Sequence, residues 1–497
     1  MTTPIIVGAA TVVQHTTESD AGDDAVGLMV RACRQSAPAT LLSRAGMVVV
    51  PQGTWRFPNP GRLIAERLGA ERAQTVRAEI GVLQTTVLSA AVDAVAEGRC
   101  EVAIVTGGEA LDRRRVARRY GRRADETSQD ATALPDVVLR PSVEFRGEHE
   151  APWGIEEPYI QYALLDSARR ARLGIGVGEN AREIASRWSS FSRIAAHNPT
   201  AWDREERSAE QLLDPLTRGN RMLAEPYSGQ VVTRMHVDQA AALVVCTPRV
   251  AEEEGIARSR WVYPLATVDC EVSVPVVERA EPGLCPQWTV VARELEAEFG
   301  FGATAIDLVD LYSCFPIAVS HQVDAFGMAN RSELTVTGGM TFGGGPLNNA
   351  ALQAMARTVE LMSQDQRSYR TGMVTAVSGL LTKQGATLFG RDEPQRPYAR
   401  IDVTEAAREL VAKRPTVASY TGAGTIDAVT VEVPRDGDSA VVAIVRTHDG
   451  CGTVARSTDS ELVRQAGTEE LVGRAVWLDN GVLALQSIDH PVEETVS

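Results

Sequence analysis

The chain has 497 residues, 44% of them hydrophobic, which is enough for two or three domains with large cores. Its formal net charge of −15 opposes non-specific attraction to nucleic acid or anionic lipid, because both need a concentrated basic surface. The densest apolar stretch, 240–246, is far shorter than the roughly 18 residues of a membrane span. No signal-like segment opens the chain, so we expect a cytoplasmic protein that binds no nucleic acid and does not cross a membrane.

The cysteines and histidines do not predict a cross-linked or metal-binding protein. The seven cysteines are scattered without a CxxC pair, so we expect reduced thiols. The seven histidines lack the spacing of metal ligands. We therefore predict no metal site. Basic charge comes almost entirely from arginine, since Lys383 and Lys413 are the only lysines.

Short β-rich runs alternate with helical stretches in the first hundred residues. Strands are predicted at 5–10, 47–50 and 102–107, with helices at 24–35 and 81–97. This order predicts an α/β layered fold with parallel strands. The second helix is apolar on all sides, which is typical of a helix buried between layers. We therefore expect it to lie between two sheets.

A long polar segment over about 110–230 interrupts the layered pattern, and we interpret it as an insertion or lid. It opens with an arginine-rich run that includes Arg113, Arg114 and Arg118. A run of this kind is usually a solvated helix face. The alternative is a phosphate-binding site, since guanidinium groups bind phosphate oxygens in pairs.

The layered pattern then resumes and repeats. Strands are predicted at 239–247, 261–270, 306–312, 372–378 and 386–390, with a helix at 287–299, a glycine-rich loop at 338–345 and a second central helix from Pro346. The two halves have a similar order. We therefore predict an internal duplication, with one half over 1–250 and the other over 251–395.

From residue 396 the pattern changes to a short helix near 404–413 and strands near 425–433, 440–446 and 470–478. Asp-Gly pairs between the strands are typical hairpin turns. We predict a small β-barrel module over 396–497, of OB type. Such barrels often bind nucleic acid, but 420–497 holds five arginines against thirteen acidic residues, which favours an interaction or lid role.

Short motifs follow one another in a characteristic order over roughly 1–395. They are Ala96-Glu97-Gly98, Gly107-Gly108-Glu109, Asp238-Gln239, Tyr312-Ser313-Cys314-Phe315, Thr337-Gly338-Gly339 and Gly344-Gly345-Pro346. In this order and spacing they resemble the thiolase superfamily, and within it the sterol-carrier-type thiolases and thiolase-like proteins, many of them labelled acetyl-CoA acetyltransferases. The resemblance implies a layered αβαβα fold of two pseudo-symmetric halves. It also implies a coenzyme A thioester as ligand, whose phosphates the arginine run could bind, and no tightly bound cofactor.

In that family a nucleophilic cysteine opens the buried helix of the first half, and a histidine in a GHP motif opens its counterpart. A second cysteine in a CxG motif and an Asn or His complete the catalytic group. The matching positions here hold Gly81, Gly345, Val377 and Tyr312. Glycine cannot be acylated by a thioester. The resemblance therefore implies a protein of acyl-CoA or lipid metabolism that binds acyl-CoA but carries out neither ordinary thiolysis nor Claisen condensation. The family's dimer, or another protein partner, is compatible with it.

The missing side chains predict a pocket of bare backbone. Central helices that begin at Gly81 and near Pro346 would present open N–H groups to an oxyanion or a thioester carbonyl. Gly344, Gly345, Ser378 and Gly379 are the further candidates for substrate binding at this pocket.

The hydroxyl groups near Gly81 are the nearest substitutes for a nucleophile. They belong to Thr85, Thr86 and Ser89, and the sequence places no evident base beside them. We interpret them as structural residues of a helix.

Tyr312 and Cys314 are the remaining catalytic candidates. Tyr312 could donate to a carbonyl, or act as a general acid or base if its pKa were lowered; the plainer interpretation is a core aromatic. This pattern resembles the aldolases of steroid side-chain breakdown, which lack the thiolase cysteines and require an OB-fold partner. The resemblance implies an alternative function as a retro-aldol lyase on a β-hydroxyacyl-CoA. We interpret Cys314 as a buried, inert thiol, the alternative being the displaced nucleophile of an active acetyltransferase. Lys383 could reach the same region, but we interpret it as a surface lysine.

Overall fold

The structure, a computed structural model, describes residues 2–18, 22–142, 153–300, 302–364 and 369–485. The strands within these ranges are β1 (Ile5–Val13), β2 (Met47–Pro51), β3 (Gln74–Ala78), β4 (Val102–Ala110), β5 (Val137–Leu139), β6 (Met222–Ala224), β7 (Tyr227–Ser228), β8 (Asp238–Cys246), β9 (Tyr263–Glu271), β10 (Leu308–Asp310), β11 (Thr371–Ser378), β12 (Lys383–Gly390), β13 (Ala399–Asp402), β14 (Gly422–Glu432), β15 (Ala440–Thr447), β16 (Gly452–Ser457), β17 (Ala475–Asp479) and β18 (Val482–Leu485).

The α-helices are α1 (Ala25–Ser36), α2 (Ala39–Leu42), α3 (Pro60–Leu68), α4 (Gln84–Ala96), α5 (Leu111–Arg119), α6 (Pro158–Arg172), α7 (Val177–His197), α8 (Ala209–Leu213), α9 (Pro248–Glu253), α10 (Pro286–Phe299), α11 (Pro316–Phe326), α12 (Ala350–Gln364), α13 (Thr404–Arg408) and α14 (Ser460–Thr468). Among the described helices, none combines the length and the apolar character that a membrane crossing requires.

Two mixed sheets form the main body. The first has the strand order β1-β8-β4-β2-β3-β5 and the second the order β10-β11-β12-β9-β13. The strands around β2 run parallel, as expected, whereas β8 is antiparallel to both of its neighbours, and β12 likewise. The prediction of an α/β fold is thus confirmed, but the sheets are mixed rather than parallel.

Two central helices separate the sheets. The buried helix α4 contacts β2 and β4 of the first sheet and β9 and β12 of the second, which confirms that it lies between two layers. Helix α12 lies beside it and contacts β1, β8 and β11. On the outer faces, α1 packs on β4 and β8, and α10 packs on β9. The order of layers is therefore αβαβα.

Both central helices begin later than the sequence predicted. Helix α4 starts three residues after Gly81, whose φ of +104° is left-handed and outside the helical range. Helix α12 starts at Ala350, and Asn348 just before it has a φ of +55°. The predicted starts at Gly81 and near Pro346 are therefore wrong. Positive φ angles delay both helices, and such backbone geometry is not visible in a pattern of apolar residues.

A closed five-stranded barrel follows the second sheet. Its strands pair in the order β15-β16-β18-β17-β14, and a further pairing of β14 with β15 closes the ring. Its core includes Ile426, Val441 and Leu462, the last from α14, which lies between β16 and β17. The barrel module is confirmed, whereas its OB type stays a prediction. Strands β16 and β18 and helix α14 were not predicted, and β17 begins at Ala475 rather than at the predicted residue 470.

The polar segment after β4 contains helices that are packed into the molecule. Trp188 and Phe191 of α7 are buried, and so is Tyr227 of β7. Helix α6 contacts the barrel strand β14, where the Ser167 hydroxyl accepts a hydrogen bond of 2.9 Å from the backbone N–H of Val429. Strand β6 also pairs with the end of β14. This segment therefore connects the layered body to the barrel.

Candidate functional site

Tyr312 and Cys314 lie in the connection between β10 and α11, at the carboxyl end of a strand that pairs in parallel with β11. The backbone N–H of Tyr312 donates to Thr375 Oγ1 at 2.7 Å, and its carbonyl oxygen accepts from Gln322 Nε2 at 2.9 Å. These two bonds hold the peptide groups on both sides of Tyr312. The tyrosine is half-buried and Cys314 is buried.

A second tyrosine, Tyr162 of α6, joins this group. Its phenol donates to the carbonyl oxygen of Gly379 at 3.2 Å, and the Cys314 thiol lies close enough to raise its pKa. Its ring stacks on Phe315 with a centroid distance of 4.4 Å. The structure thus brings Tyr312, Cys314 and Gly379 together through a residue of the inserted segment. Tyr162 stands in no motif, and the only signal for it in the sequence is an aromatic residue on the apolar face of a helix.

The acid–base properties of this group follow from burial. Burial and the neighbouring Cys314 raise the pKa of Tyr312 above its usual value, and burial likewise raises the pKa of Tyr162. Burial raises the pKa of the Cys314 thiol to about 12. All three groups therefore carry their protons at neutral pH. The lowered pKa that base catalysis by Tyr312 would need is absent, and Cys314 is not poised as a thiolate nucleophile.

The space beside Gly345 and Gly344 is filled by neighbouring side chains. A Cβ atom on Gly345 would lie 2.3 Å from Cγ2 of Thr233, and one on Gly344 would lie 2.0 Å from Oε1 of Gln239. The Thr233 hydroxyl donates to the carbonyl oxygen of Cys314 at 2.9 Å, which links Gly345 to the tyrosine group. The backbone N–H of Gly345 donates to the carbonyl oxygen of Arg234 at 3.0 Å, so the predicted open N–H group at Gly345 is wrong.

The first turn of α4 faces a buried carboxylate. Thr85 Oγ1 and Thr86 Oγ1 donate to the two carboxylate oxygens of Asp269 at 2.5 Å and 2.8 Å. Burial raises the pKa of Asp269 to about 6, against the hydrogen bonds from the two threonines, which lower it. The view that these hydroxyls have no base beside them is therefore wrong. No residue pattern indicated Asp269, because it lies 184 residues from Thr85 and 183 residues from Thr86.

Lys383 is a buried residue of the site and not a surface lysine. Its side chain is fully buried, and Nζ donates to the carbonyl oxygen of Gly81 at 2.9 Å. Nζ also lies 3.7 Å from a carboxylate oxygen of Glu271. Burial lowers the pKa of Lys383, while Glu271 opposes that shift. Because Lys383 pairs with Ser378 across β11 and β12, it places Gly81 near the predicted residues 377–379.

The three candidate arginines differ in their surroundings. Arg113 is buried, and its backbone N–H donates to Asp238. Arg114 forms an ion pair of 2.5 Å with Glu126. Arg118 is exposed to solvent. Of the three, Arg118 is therefore the most accessible to a ligand. Within the described ranges, no three His, Cys, Asp or Glu side chains are grouped as ligands of a metal would be.

Known proteins resemble this chain both in its C-terminal domain and in its overall structure. Residues 402–481 match the additional C-terminal domain of type 1 thiolase-like proteins. The structure is similar to that of a monomeric SCP2-thiolase like protein type 1 from Mycobacterium smegmatis, with 26% identity over 97% of this chain and 99% of that chain and a TM-score of 0.79. No curated protein sequence matches this chain.

Two further structures share the fold over about four fifths of this chain. The Ltp2-ChsH2(DUF35) aldolase is 17% identical over 79% of this chain and 99% of that chain, with a TM-score of 0.58. The Acat5 thiolase from Ascaris suum, in complex with coenzyme A, is 15% identical over 78% of this chain and 99% of that chain, with a TM-score of 0.53. At these identities the likeness establishes the fold alone.

Proposed function

We propose that this chain, which has a thiolase-like fold with an additional C-terminal barrel domain, binds acyl-CoA and does not catalyse the thiolase reaction. A role in acyl-CoA or lipid metabolism is part of this proposal. The observation that carries the loss of thiolase chemistry is the packing at Gly345, where the methyl group of Thr233 occupies the space that a histidine side chain would need. The position that resembles the nucleophile, Gly81, has no side chain either. Val377, at the position of the second cysteine, is apolar and buried.

Titration calorimetry with CoA and acetyl-CoA, combined with a thiolysis assay on acetoacetyl-CoA, tests both halves of the proposal. We expect saturable binding and no thiolysis above the rate without protein. Absence of binding to any acyl-CoA would refute the binding function. Turnover of acetoacetyl-CoA would refute the loss of thiolase chemistry.

The CoA phosphates provide a more local test, since Arg118 is the exposed member of the three arginine candidates. We expect Arg118→Ala to weaken CoA binding by up to about tenfold, typical of one charge-assisted contact. If the contact is to the 3′-phosphate, the substitution should weaken the binding of 3′-dephospho-CoA less than the binding of CoA. Arg72→Ala, at another exposed arginine, serves as the matched control. Equal effects of the two substitutions would exclude Arg118 from the phosphate site.

A second candidate function is retro-aldol cleavage of a β-hydroxyacyl-CoA. It is favoured by the two protonated phenols beside Cys314 and by the contact of the barrel with α6, the helix that carries Tyr162. In this reaction a base takes the proton of the β-hydroxyl, whose carbon becomes a carbonyl as the Cα–Cβ bond breaks. The electron pair of that bond moves to Cα, which is then protonated. A protonated Tyr312 would donate a hydrogen bond to the thioester oxygen or supply that proton.

An assay of aldehyde or ketone release from β-hydroxyacyl-CoA substrates tests this candidate. We expect Tyr312→Phe to lower the lyase rate by about 100-fold or more, as for loss of a general acid. Tyr420→Phe, at a barrel tyrosine whose phenol donates to the carbonyl oxygen of Ala423, should leave the rate unchanged. A demonstrated lyase rate that survives Tyr312→Phe would exclude the role of Tyr312.

We also propose that the fused barrel takes the place of a separate barrel partner, so that the chain acts as a monomer. The relative from Mycobacterium smegmatis is described as monomeric, whereas the aldolase is a complex of Ltp2 with a DUF35 protein. The alternatives are the thiolase homodimer and another protein partner. Light scattering on the purified chain separates monomer from dimer by mass.

A further inference from the structure

The amide group of Asn349 is buried and has no hydrogen-bond partner. The residue is 1% exposed, and among the described residues neither its Nδ2 nor its Oδ1 has a partner. A buried amide without partners is rare in proteins, because it loses its hydration on folding and gains nothing in return. Its presence therefore indicates a ligand or a water molecule that bonds to it.

The Asn349 amide has no partner because of how helix α12 begins. The carbonyl oxygen of Asn349 accepts from the N–H of Gln353 at 3.0 Å, so Asn349 occupies the N-cap position of the helix. An N-cap asparagine ordinarily accepts from an N–H of the first turn through its own side chain. Here the N–H of Leu352 donates instead to Oε1 of Gln84 at 3.1 Å, from the first turn of α4. Gln84 therefore caps the second central helix and leaves the Asn349 side chain free for another partner.

The free amide lies where the two central helices meet the first sheet. Its Oδ1 lies 2.4 Å from the point that a Cβ atom on Gly107 of β4 would occupy, and Pro51 at the end of β2 also borders that point. The carboxyl ends of parallel strands are where α/β proteins commonly bind ligands. Leu347 and Asn348, the two residues before it, are partly exposed.

We infer that Asn349 is the specificity residue for the acyl group, and that it selects a β-hydroxyacyl thioester. The inference rests on the proposed acyl-CoA binding. One amide offers a donor, Nδ2–H, next to an acceptor, Oδ1. A β-hydroxyacyl thioester offers the complementary pair, a carbonyl oxygen that accepts and a hydroxyl that donates. The carbonyl is on C1 of the acyl chain and the hydroxyl is on C3. An acyl group without the hydroxyl can accept from Nδ2–H but leaves Oδ1 without a donor.

Calorimetric titration with β-hydroxybutyryl-CoA, butyryl-CoA, the thioether S-butyl-CoA and CoA tests this inference. The wild-type protein should bind the first more tightly than the second, and the second more tightly than the thioether, by about tenfold at each step. Asn349→Leu, which keeps the number and branching of the side-chain heavy atoms and removes both polar atoms, should bring all three affinities within about twofold. The affinity for CoA itself should stay the same, because CoA has neither group.

Leu347→Ala is the matched control, since Leu347 is partly exposed and Asn348 and Asn349 both remain in place. This variant should keep the wild-type order of affinities. A wild-type protein that binds β-hydroxybutyryl-CoA, butyryl-CoA and S-butyl-CoA equally would overturn the inference while leaving acyl-CoA binding intact. The same holds if Asn349→Leu keeps the order, since an internal water would then be the partner of the amide. Failure of the wild-type protein to bind any of them would overturn the proposed function together with the inference.

Discussion

The side-chain amine of Lys383 donates a hydrogen bond to the carbonyl oxygen of Gly81 across 2.9 Å. This bond ties the first residue of β12 to the left-handed turn that precedes α4. In the resemblance to thiolases, Gly81 stands at the position of the nucleophile. A buried lysine therefore anchors the backbone of that position.

Replacing this lysine should weaken the fold. We expect Lys383→Met to lower the free energy of unfolding by about 1–3 kcal/mol, because the carbonyl of Gly81 loses its buried partner and Glu271 loses a nearby cation. Urea denaturation followed by circular dichroism measures the change. The other lysine of the chain, Lys413, is exposed, and Lys413→Met should change stability by less than about 0.5 kcal/mol. Equal effects of the two substitutions would contradict the anchoring role.

The buried carboxyl of Asp269 should make stability depend on pH. Its pKa is about 6 in the folded protein against 3.8 for the free group. Between these values the folded state binds more protons than the unfolded state, so the free energy of unfolding falls as the pH rises. The difference corresponds to about 3 kcal/mol, lost between about pH 4 and pH 6. Above that range this contribution is constant.

Asp269→Asn should abolish this fall, because an amide does not titrate. Denaturation at several pH values between about pH 4 and pH 7 compares the variant with the wild-type protein. Asp402→Asn is the control, since Asp402 pairs with Asp269 from the neighbouring strand but is exposed, and the fall should persist in it. A wild-type protein and Asp269→Asn variant with parallel pH profiles would contradict the prediction.

The packing at Gly345 predicts a compensating pair of substitutions. Gly345→Ala should destabilise the protein by about 1–3 kcal/mol, because the new methyl group meets Cγ2 of Thr233. Thr233→Ser removes that methyl group and keeps the hydroxyl that donates to the carbonyl oxygen of Cys314. The double variant should therefore be more stable than the sum of the two single changes predicts. A double-mutant cycle measures this coupling, and strictly additive effects would show that the contact is absent.

Cys314 should be inert towards thioesters and alkylating agents. Its pKa of about 12 and its burial leave almost no thiolate at neutral pH. Intact and peptide mass spectrometry after incubation with acetyl-CoA should show no acetyl group on Cys314. Under iodoacetamide we expect the partly exposed Cys100 and Cys451 to react before it. An acetylated Cys314 would instead support an active acetyltransferase with a displaced nucleophile.

Apolar periodicity and glycine-rich motifs were enough to predict the layered fold, the buried helix α4 and the barrel module. These features depend on local residue patterns that burial imposes on each element, and such patterns are visible in one chain. The motifs over 1–395 also located Tyr312 and Cys314 in one connection. The absence of a cysteine and a histidine at the positions of Gly81 and Gly345 follows directly from the residues present.

Only the tertiary structure decided how those positions are filled. Tyr162, Thr233, Asp269 and Lys383 reach the site from elements distant in sequence, and none of them stands in a recognisable motif. Their burial also sets their chemistry, since removal from water raises the pKa of a carboxyl, phenol or thiol and lowers that of an amine. A side chain's hydration depends on what packs around it, and that is a property of the fold and not of the local residue pattern.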